Sequence, residues 1–284
     1  MSAKGFRAEL VGCLSQGADG NPSVVMVEAA FAHHQLPWRY INMEVAPVDL
    51  AEAVRGLRAI GFRGFNLSMP HKVSVIPLLD GLGESARLIG AVNCVVRRGN
   101  QLIGENTDGK GFLTSLQTKV DPQGKSVVLF GAGGAARAIA VELALAGAAR
   151  IEVVNRSPAA GATLVGLLNE KTAVTAHYAP WKDRFEIPAG TDIVINATSV
   201  GLYDASARLP IVVDSLRREM TVADVVFSPP ETCFLREAAA RGCATLDGLG
   251  MLVNQGVIGI KYWTGVEVGT KEMTRVLRQV LGLG

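Results

Sequence analysis

The stretch Val127-Val128-Leu129-Phe130-Gly131-Ala132-Gly133-Gly134-Ala135-Ala136-Arg137 reads as a short apolar strand, a glycine turn and the start of a helix. Its turn is G-x-G-x-x-A, and each small residue has a physical task. Gly131 permits the tight turn, Gly133 lets backbone approach a pyrophosphate, and Ala136 lets the helix pack closely on the strand. The pyrophosphate would rest on the helix N-terminus, cradled by Gly131, Ala132, Gly133, Gly134 and Ala135, where free N–H groups favour negative charge. A second apolar strand, Ile151–Val154, follows about 20 residues on, the spacing of a dinucleotide-binding βαβ unit. That second strand ends in Asn155-Arg156-Ser157 and carries no carboxylate. NAD sites usually place Asp or Glu there for the ribose 2′-OH, whereas a guanidinium with a hydroxyl suits a 2′-phosphate. NADP is therefore the predicted cofactor, with NAD as the alternative.

Working outward, the same alternation continues. Ala135–Ala146 reads as a helix ended by Gly147, Ala159–Leu168 as another, and Ile193–Asn196 and Val222–Val226 as buried strands. This order predicts a parallel sheet. A turn cluster, Asp121-Pro122-Gln123-Gly124, precedes it. Upstream, Ala8–Cys13 and Phe65–Leu67 read as strands and Val24–His34 as a helix. Asp49 opens a second helix with Leu50, Val54 and Leu57 at i, i+4, i+7, and Ala91–Val96 with Gln101–Ile103 forms a hairpin turning at Gly99-Asn100. Leu249–Trp263 and Lys271–Leu281 are helical without strands of their own, and are expected to pack back on the first domain. The fold class is α/β with two domains: a Rossmann domain over 111–253, and an α/β domain over 1–110 completed by the C-terminal helices, 254–284.

Composition narrows the function. The 284 residues are 49% hydrophobic and 19% charged, which excludes a disordered chain. With 28 Lys+Arg against 26 Asp+Glu and no basic block, nucleic acid is not an expected partner. The longest apolar runs, such as Ile139–Ala149, are broken by Glu142 and too short to span a bilayer. The opening Met1–Glu9 has no apolar leader, and a cytoplasmic location is expected. Cys13, Cys94, Cys233 and Cys243 are scattered with no C-x-x-C pair, so buried reduced thiols are expected, and no metal.

The first domain holds polar residues that ordinary surface does not explain. Asn66-Leu67-Ser68-Met69-Pro70-His71-Lys72 follows a short apolar strand, which puts Asn66 and Ser68 on one face. Asn93 sits inside an apolar run, and Asn106-Thr107-Asp108 follows the hairpin. A lysine and an aspartate brought together can form a structural ion pair or an acid–base pair on a substrate hydroxyl. Spacing alone leaves both open.

These motifs together resemble the shikimate dehydrogenase / quinate dehydrogenase family over nearly the full chain. The resemblance rests on Asn66-x-Ser68-x-Pro70-His71-Lys72, Ile89-Gly-Ala-Val-Asn93, Gly104-x-Asn106-Thr107-Asp108-Gly109, the glycine loop, Asn155-Arg156-Ser157, Asn196-Ala-Thr198-Ser199-Val200-Gly201, and Asp247-Gly248-Leu-Gly250-Met251-Leu-Val-x-Gln255. It implies an N-terminal substrate domain facing a Rossmann domain, and NADP-dependent interconversion of shikimate and 3-dehydroshikimate or a close cyclohexane-carboxylate analogue. It implies Lys72 and Asp108 as the catalytic pair, which makes the neighbouring His71 a bystander. Asn66, Ser68, Asn93, Asp108 and Gln255 become substrate contacts, and Thr198, Gly248 and Met251 join the cofactor residues.

Three positions depart from the family pattern. The usual Ser-x-Ser-Pro carboxylate clamp corresponds here to Asn21-Pro22-Ser23-Val24, the usual Thr to Ser68, and the usual Tyr before the last helices to Phe227. Asn21, Ser23 and Phe227 are substrate-binding candidates on that correspondence. The departures keep quinate dehydrogenase, or a family member with another substrate, beside the shikimate reading. A non-catalytic nucleotide sensor stands outside both. The expected partner is a small cyclic hydroxy acid, and monomer and homodimer both fit the sequence.

Overall fold

Two cuts divide the chain, one after Thr107 and one after Gln255. The structure is a computed structural model and describes residues 7–283; residues 1–6 of the predicted leaderless opening lie outside them. Sequence spacing puts the cuts at 110/111 and 253/254. The first falls earlier because a helix already begins at Asp108, and the second falls inside a continuous helix.

The first unit carries strands β1 (Glu9–Ser15), β2 (Trp38–Glu44), β3 (Gly64–Leu67), β4 (Gly81–Leu82), β5 (Cys94–Arg98) and β6 (Gln101–Glu105). Its helices are α1 (Ser23–His33), α2 (Leu50–Ala59), α3 (His71–Ser74) and α4 (Glu84–Ile89). The strands form one mixed sheet in the order β2-β1-β3-β5-β6-β4. β1 runs parallel to β2 and β3, while β5 runs antiparallel to β3 and β6. Leu50, Val54 and Leu57 of α2 are buried in a core with Leu14, Phe65, Leu67 and Val95, as their i, i+4, i+7 spacing requires. β5 starts three residues later than its apolar run suggests, at Cys94, because Ala91–Asn93 belong to the turn before it.

The second unit opens with α5 (Asp108–Leu116). It continues through β7 (Ser126–Phe130), α6 (Gly134–Leu145), β8 (Arg150–Asn155), α7 (Pro158–Lys171), β9 (Thr175–Pro180), β10 (Ile193–Asn196), β11 (Thr221–Asp224), α8 (Cys233–Ala240), β12 (Ala244–Leu246) and α9 (Leu249–Thr264). The sheet is parallel throughout, in the order β12-β11-β10-β7-β8-β9. Numbered within the unit and read from the β9 edge, this is the 3-2-1-4-5-6 order of a dinucleotide-binding sheet. The central strands are buried along their length, which is why they read as continuous Val/Ile/Leu runs.

The second half of α9 and α10 (Thr270–Val280) return to the first unit. Trp263 donates its indole N–H to the Val95 carbonyl at 3.0 Å. Met273 and Leu277 of α10 are fully buried where that helix meets α1. All four cysteines are buried and unbridged. Among the described residues no helix is long and apolar enough to cross a membrane.

Candidate functional site

The sheet of the second unit reverses its winding between β7 and β10, and the glycine loop lies at that point. Ligands of open α/β sheets bind beyond the carboxyl ends of the strands where the order reverses. Gly131 has φ +109°, and a Cβ there would lie 2.9 Å from the Ala197 carbonyl oxygen, so both backbone and space demand glycine. Gly133 is the N-cap of α6 with no side-chain cap, and the space beside Gly133 and Gly134 is open. That leaves a bare backbone and a helix N-terminus able to receive an anion. Ala132 and Ala135 are half-buried beside it, and Ala136 is fully buried.

At the end of β8, Asn155 donates through Nδ2 to the Ser157 carbonyl at 3.0 Å, and Ser157 Oγ caps α7 by accepting the Ala160 N–H at 3.4 Å. Arg156 between them is exposed and makes no ion pair among the described residues. The pair of helix N-termini, the bare glycine backbone and the uncommitted guanidinium fit a dinucleotide carrying an extra phosphate. Sequence reasoning missed a further group: Arg137, in the first turn of α6, has a buried Nε with no partner among the described residues.

A second rim of the same edge is tied together by one carboxylate. Asp224 accepts the Asn196 side-chain N–H at 3.0 Å and the Val226 N–H at 3.0 Å on Oδ1, and the Thr232 hydroxyl at 2.7 Å on Oδ2. Asn196 Oδ1 in turn accepts the Thr198 hydroxyl at 2.7 Å and its backbone N–H at 3.1 Å. Burial pushes the Asp224 carboxyl up to about 6 against these three hydrogen bonds. Gly248 lies against the Val225 and Val226 carbonyls where no Cβ fits. Half-buried Met251 follows on the first turn of α9. Phe227 is half-buried and meets the Tyr203 ring edge-on at 6.4 Å between centroids. Gln255 is buried and donates to the Leu252 carbonyl at 3.1 Å. Asp108 is the half-buried first residue of α5.

In the first unit Asn66, Asn93 and Thr107 form one hydrogen-bonded network. The parallel register sets Cys13 of β1 beside Asn66 of β3. Asn66 donates to the Asn93 carbonyl at 2.9 Å and accepts the Tyr40 hydroxyl at 2.9 Å. Asn93 donates to Thr107 Oγ1 at 2.9 Å and accepts the Thr107 N–H at 2.6 Å, which anchors the chain one residue before Asp108. Lys72 is half-buried, with its carbonyl fixed by the Val92 N–H at 2.8 Å. Half-buried Ser68 donates its N–H to the Leu14 carbonyl at 3.1 Å and accepts the His71 N–H. Burial pushes the Cys13 thiol up to about 11, against a hydrogen bond from Tyr40 and the charge of Lys72.

Two details bear on specificity. Asn21 Oδ1 accepts the Ser23 N–H at 3.0 Å while its Nδ2 donates to Cys13 Sγ at 3.2 Å, so much of this amide is spent inside the chain. Ser23, the first residue of α1, is buried. His71 is fully buried with Nε2 2.8 Å from the Val45 carbonyl. A carbonyl only accepts, so Nε2 carries the proton, and His71 anchors the turn that holds Lys72. Lys72, Asn21, Ser23, Asn66, Ser68 and Asn93 thus fall in the first unit, and Asp108, Phe227, Gln255 and the cofactor candidates in the second. Tyr40 and Cys13 were missed; a buried tyrosine, whose hydroxyl needs a partner, was the available signal.

Comparison with known proteins places this geometry in context. Residues 19–95 match the shikimate dehydrogenase substrate binding domain. Residues 114–208 match shikimate / quinate 5-dehydrogenase, and 248–278 the shikimate 5′-dehydrogenase C-terminal domain. The chain is 41% identical over 277 residues to shikimate dehydrogenase (NADP(+)) of Moorella thermoacetica, covering 96% of this chain and 94% of that one. Among solved structures it is similar to the ligand-free 5-ketofructose reductase of Gluconobacter sp. strain CHM43. There the identity is 54% and the TM-score 0.96, over 97% of this chain and 100% of the other. It is also similar to shikimate 5-dehydrogenase from Listeria monocytogenes in complex with shikimate and NAD, at 35% identity and TM-score 0.92, over 98% and 99% of the two chains.

Proposed function

The chain belongs to the shikimate dehydrogenase family, and we propose that it interconverts a secondary alcohol and a ketone on a small polyhydroxylated substrate with NADP as the hydride carrier. The observation that carries this is the glycine cradle at the winding reversal together with uncommitted Arg156 at the end of β8. Bound NADP supplies the hydride chemistry. The chain supplies position and the proton: Asn66 and Asn93 hold ring or chain hydroxyls, and Lys72 passes a proton to or from the oxygen whose charge changes. Asp108, fixed by the neighbouring Thr107–Asn93 bonds, serves as the acid–base partner and as a hydroxyl acceptor. Arg156, Ser157 and Asn155 hold the 2′-phosphate, and Thr198, Gly248 and Met251 complete the cofactor site.

Two substrate readings follow. Family motifs support shikimate, or its relative quinate. Asn21 favours the other: an amide that donates to Cys13 and accepts from the Ser23 N–H replaces a carboxylate-binding hydroxyl. An uncharged polyhydroxy ketone of the 5-ketofructose type needs no such clamp, and the 54% identical neighbour is a 5-ketofructose reductase. Steady-state kcat/KM for shikimate, quinate and fructose in oxidation, and 5-ketofructose in reduction, each with both nucleotide forms, decides between them. Turnover of none of the four removes the proposal.

Arg156 gives the cofactor test. Replacing it with alanine should cost roughly 1.5–3 kcal/mol in NADP use, the worth of a charge-assisted hydrogen bond. NAD, lacking the phosphate, should be nearly unaffected, so the preference should narrow by about tenfold or more. Equal slowing with both cofactors would make Arg156 an ordinary surface residue.

A further inference from the structure

Tyr203 combines three features with no structural explanation among its own contacts. It is an aromatic residue at φ +60°, where a bulky side chain is a genuine outlier. It is 76% exposed, so its ring adds little to the core. Its hydroxyl makes no hydrogen bond among the described residues, although its backbone is firmly held: the Tyr203 N–H donates to the Ser228 carbonyl at 2.7 Å. A glycine or asparagine would suit the turn better. Strained residues of this kind persist where the side chain has a task and the surroundings enforce the conformation.

The surroundings here are the two loops tied by Asp224. Asn196 Nδ2 bridges to Asp224 at 3.0 Å and to the Val200 carbonyl at 3.2 Å, and Thr232, at the start of α8, is held by the same carboxylate. These bonds, with the Tyr203–Ser228 bond, join the loop after β10 to the loop after β11 at the carboxyl edge of the parallel sheet. The edge-on contact with Phe227 orients the Tyr203 ring. Phe227 can offer no hydrogen bond from this rim; Tyr203, beside it, presents a hydroxyl that can both donate and accept.

We propose that Tyr203 is a specificity-determining residue whose hydroxyl binds a hydroxyl of the polyhydroxylated substrate. This rests on the reading that the chain turns over such a substrate. Tyr203→Phe keeps the ring, the turn and the contact with Phe227. On whichever panel substrate the parent enzyme uses, it should raise KM by about fivefold, the loss of one net hydrogen bond. kcat should change less, and the Kd for NADPH, read by fluorescence titration, should stay within about twofold, since uniform substrate binding alone is lost. Tyr203→Gly should raise Tm by relieving the left-handed strain while lowering kcat/KM at least as much. An unchanged KM in Tyr203→Phe overturns the assignment, as does a Kd for NADPH that weakens in step with KM, which would make the contact one to the cofactor. Failure of the parent to turn over any panel substrate overturns the underlying reading, and this inference with it.

Discussion

Replacing Lys72 with alanine should lower kcat by roughly 10²-fold or more, the range expected when positioned acid–base help is lost. KM should move by less than about threefold, because the Asn66 and Asn93 amides remain in place. Asn66 is bonded to Tyr40 and the Asn93 carbonyl, and Asn93 to Thr107. The turn carrying Lys72 also survives the change. Its backbone carbonyl still accepts the Val92 N–H, and buried His71 still anchors it to Val45. Loss of kcat with unchanged KM, fold and NADPH binding would therefore report the lysine's part in proton transfer. The measurement is a steady-state comparison on the substrate the parent uses, with NADPH titration and thermal melting as controls. Near-parental kcat in the variant would remove Lys72 from the mechanism. Recovery near His71 is not expected, since that imidazole is fully buried and its Nε2 proton is already given to a carbonyl.

How much of this was legible in the sequence follows a physical line. β1, β3, β5, β6, β7, β8, β10 and β11, the strands visible as apolar runs, are the inner strands of the two sheets. β2, β4, β9 and β12, which left no clear signal, are the four edges. Edge strands have one face or rim in water and mix polar with apolar residues, as Trp38-Arg39-Tyr40-Ile41-Asn42-Met43-Glu44 and Thr175-Ala-His-Tyr-Ala-Pro180 do. α4 and α8 escaped for a related reason: six and eight residues hold too few turns for a period to show. The glycine loop was legible because it is a local device, strand, turn and helix in one run. Tyr40, Cys13, Tyr203 and Asp224 were not, because Tyr40 is tied to Asn66 26 residues on, Asp224 reaches back to Asn196 28 residues before it, and Cys13 depends on register. Tyr203 is marked only by its backbone angle, which no sequence pattern of a tyrosine announces.

Asp224 gives the clearest expectation in pH. Its carboxyl is 1% exposed and titrates at about 6, against 3.8 when unperturbed. The cause is burial, which three accepted hydrogen bonds only partly offset. Because the folded chain holds this proton more tightly than the unfolded chain, its contribution is favourable at low pH and is lost as pH rises through about 6. From about pH 4 to about pH 7 the folded state should lose about 2 kcal/mol at this group, relative to a residue that does not titrate. Asp224→Asn supplies that reference. Its amide oxygen still accepts from Asn196 and Val226, and its nitrogen can donate to Thr232 Oγ1, at the expense of leaving the Thr232 hydroxyl proton without its acceptor. The variant's absolute stability therefore depends on Thr232, but its pH slope does not. Carboxylates held below their ordinary range at the surface, such as Glu9 through its hydrogen bond from Arg63, tilt both proteins alike and cancel in the difference. Denaturant unfolding of parent and variant across this pH range should show the gap moving in the variant's favour as pH rises. A gap that stays constant would mean that Asp224 titrates normally, and that the burial and hydrogen bonding around it balance. A gap moving the other way would mean that the hydrogen bonds outweigh burial, and that the ionised carboxylate is the stabilising form of the rim it ties together.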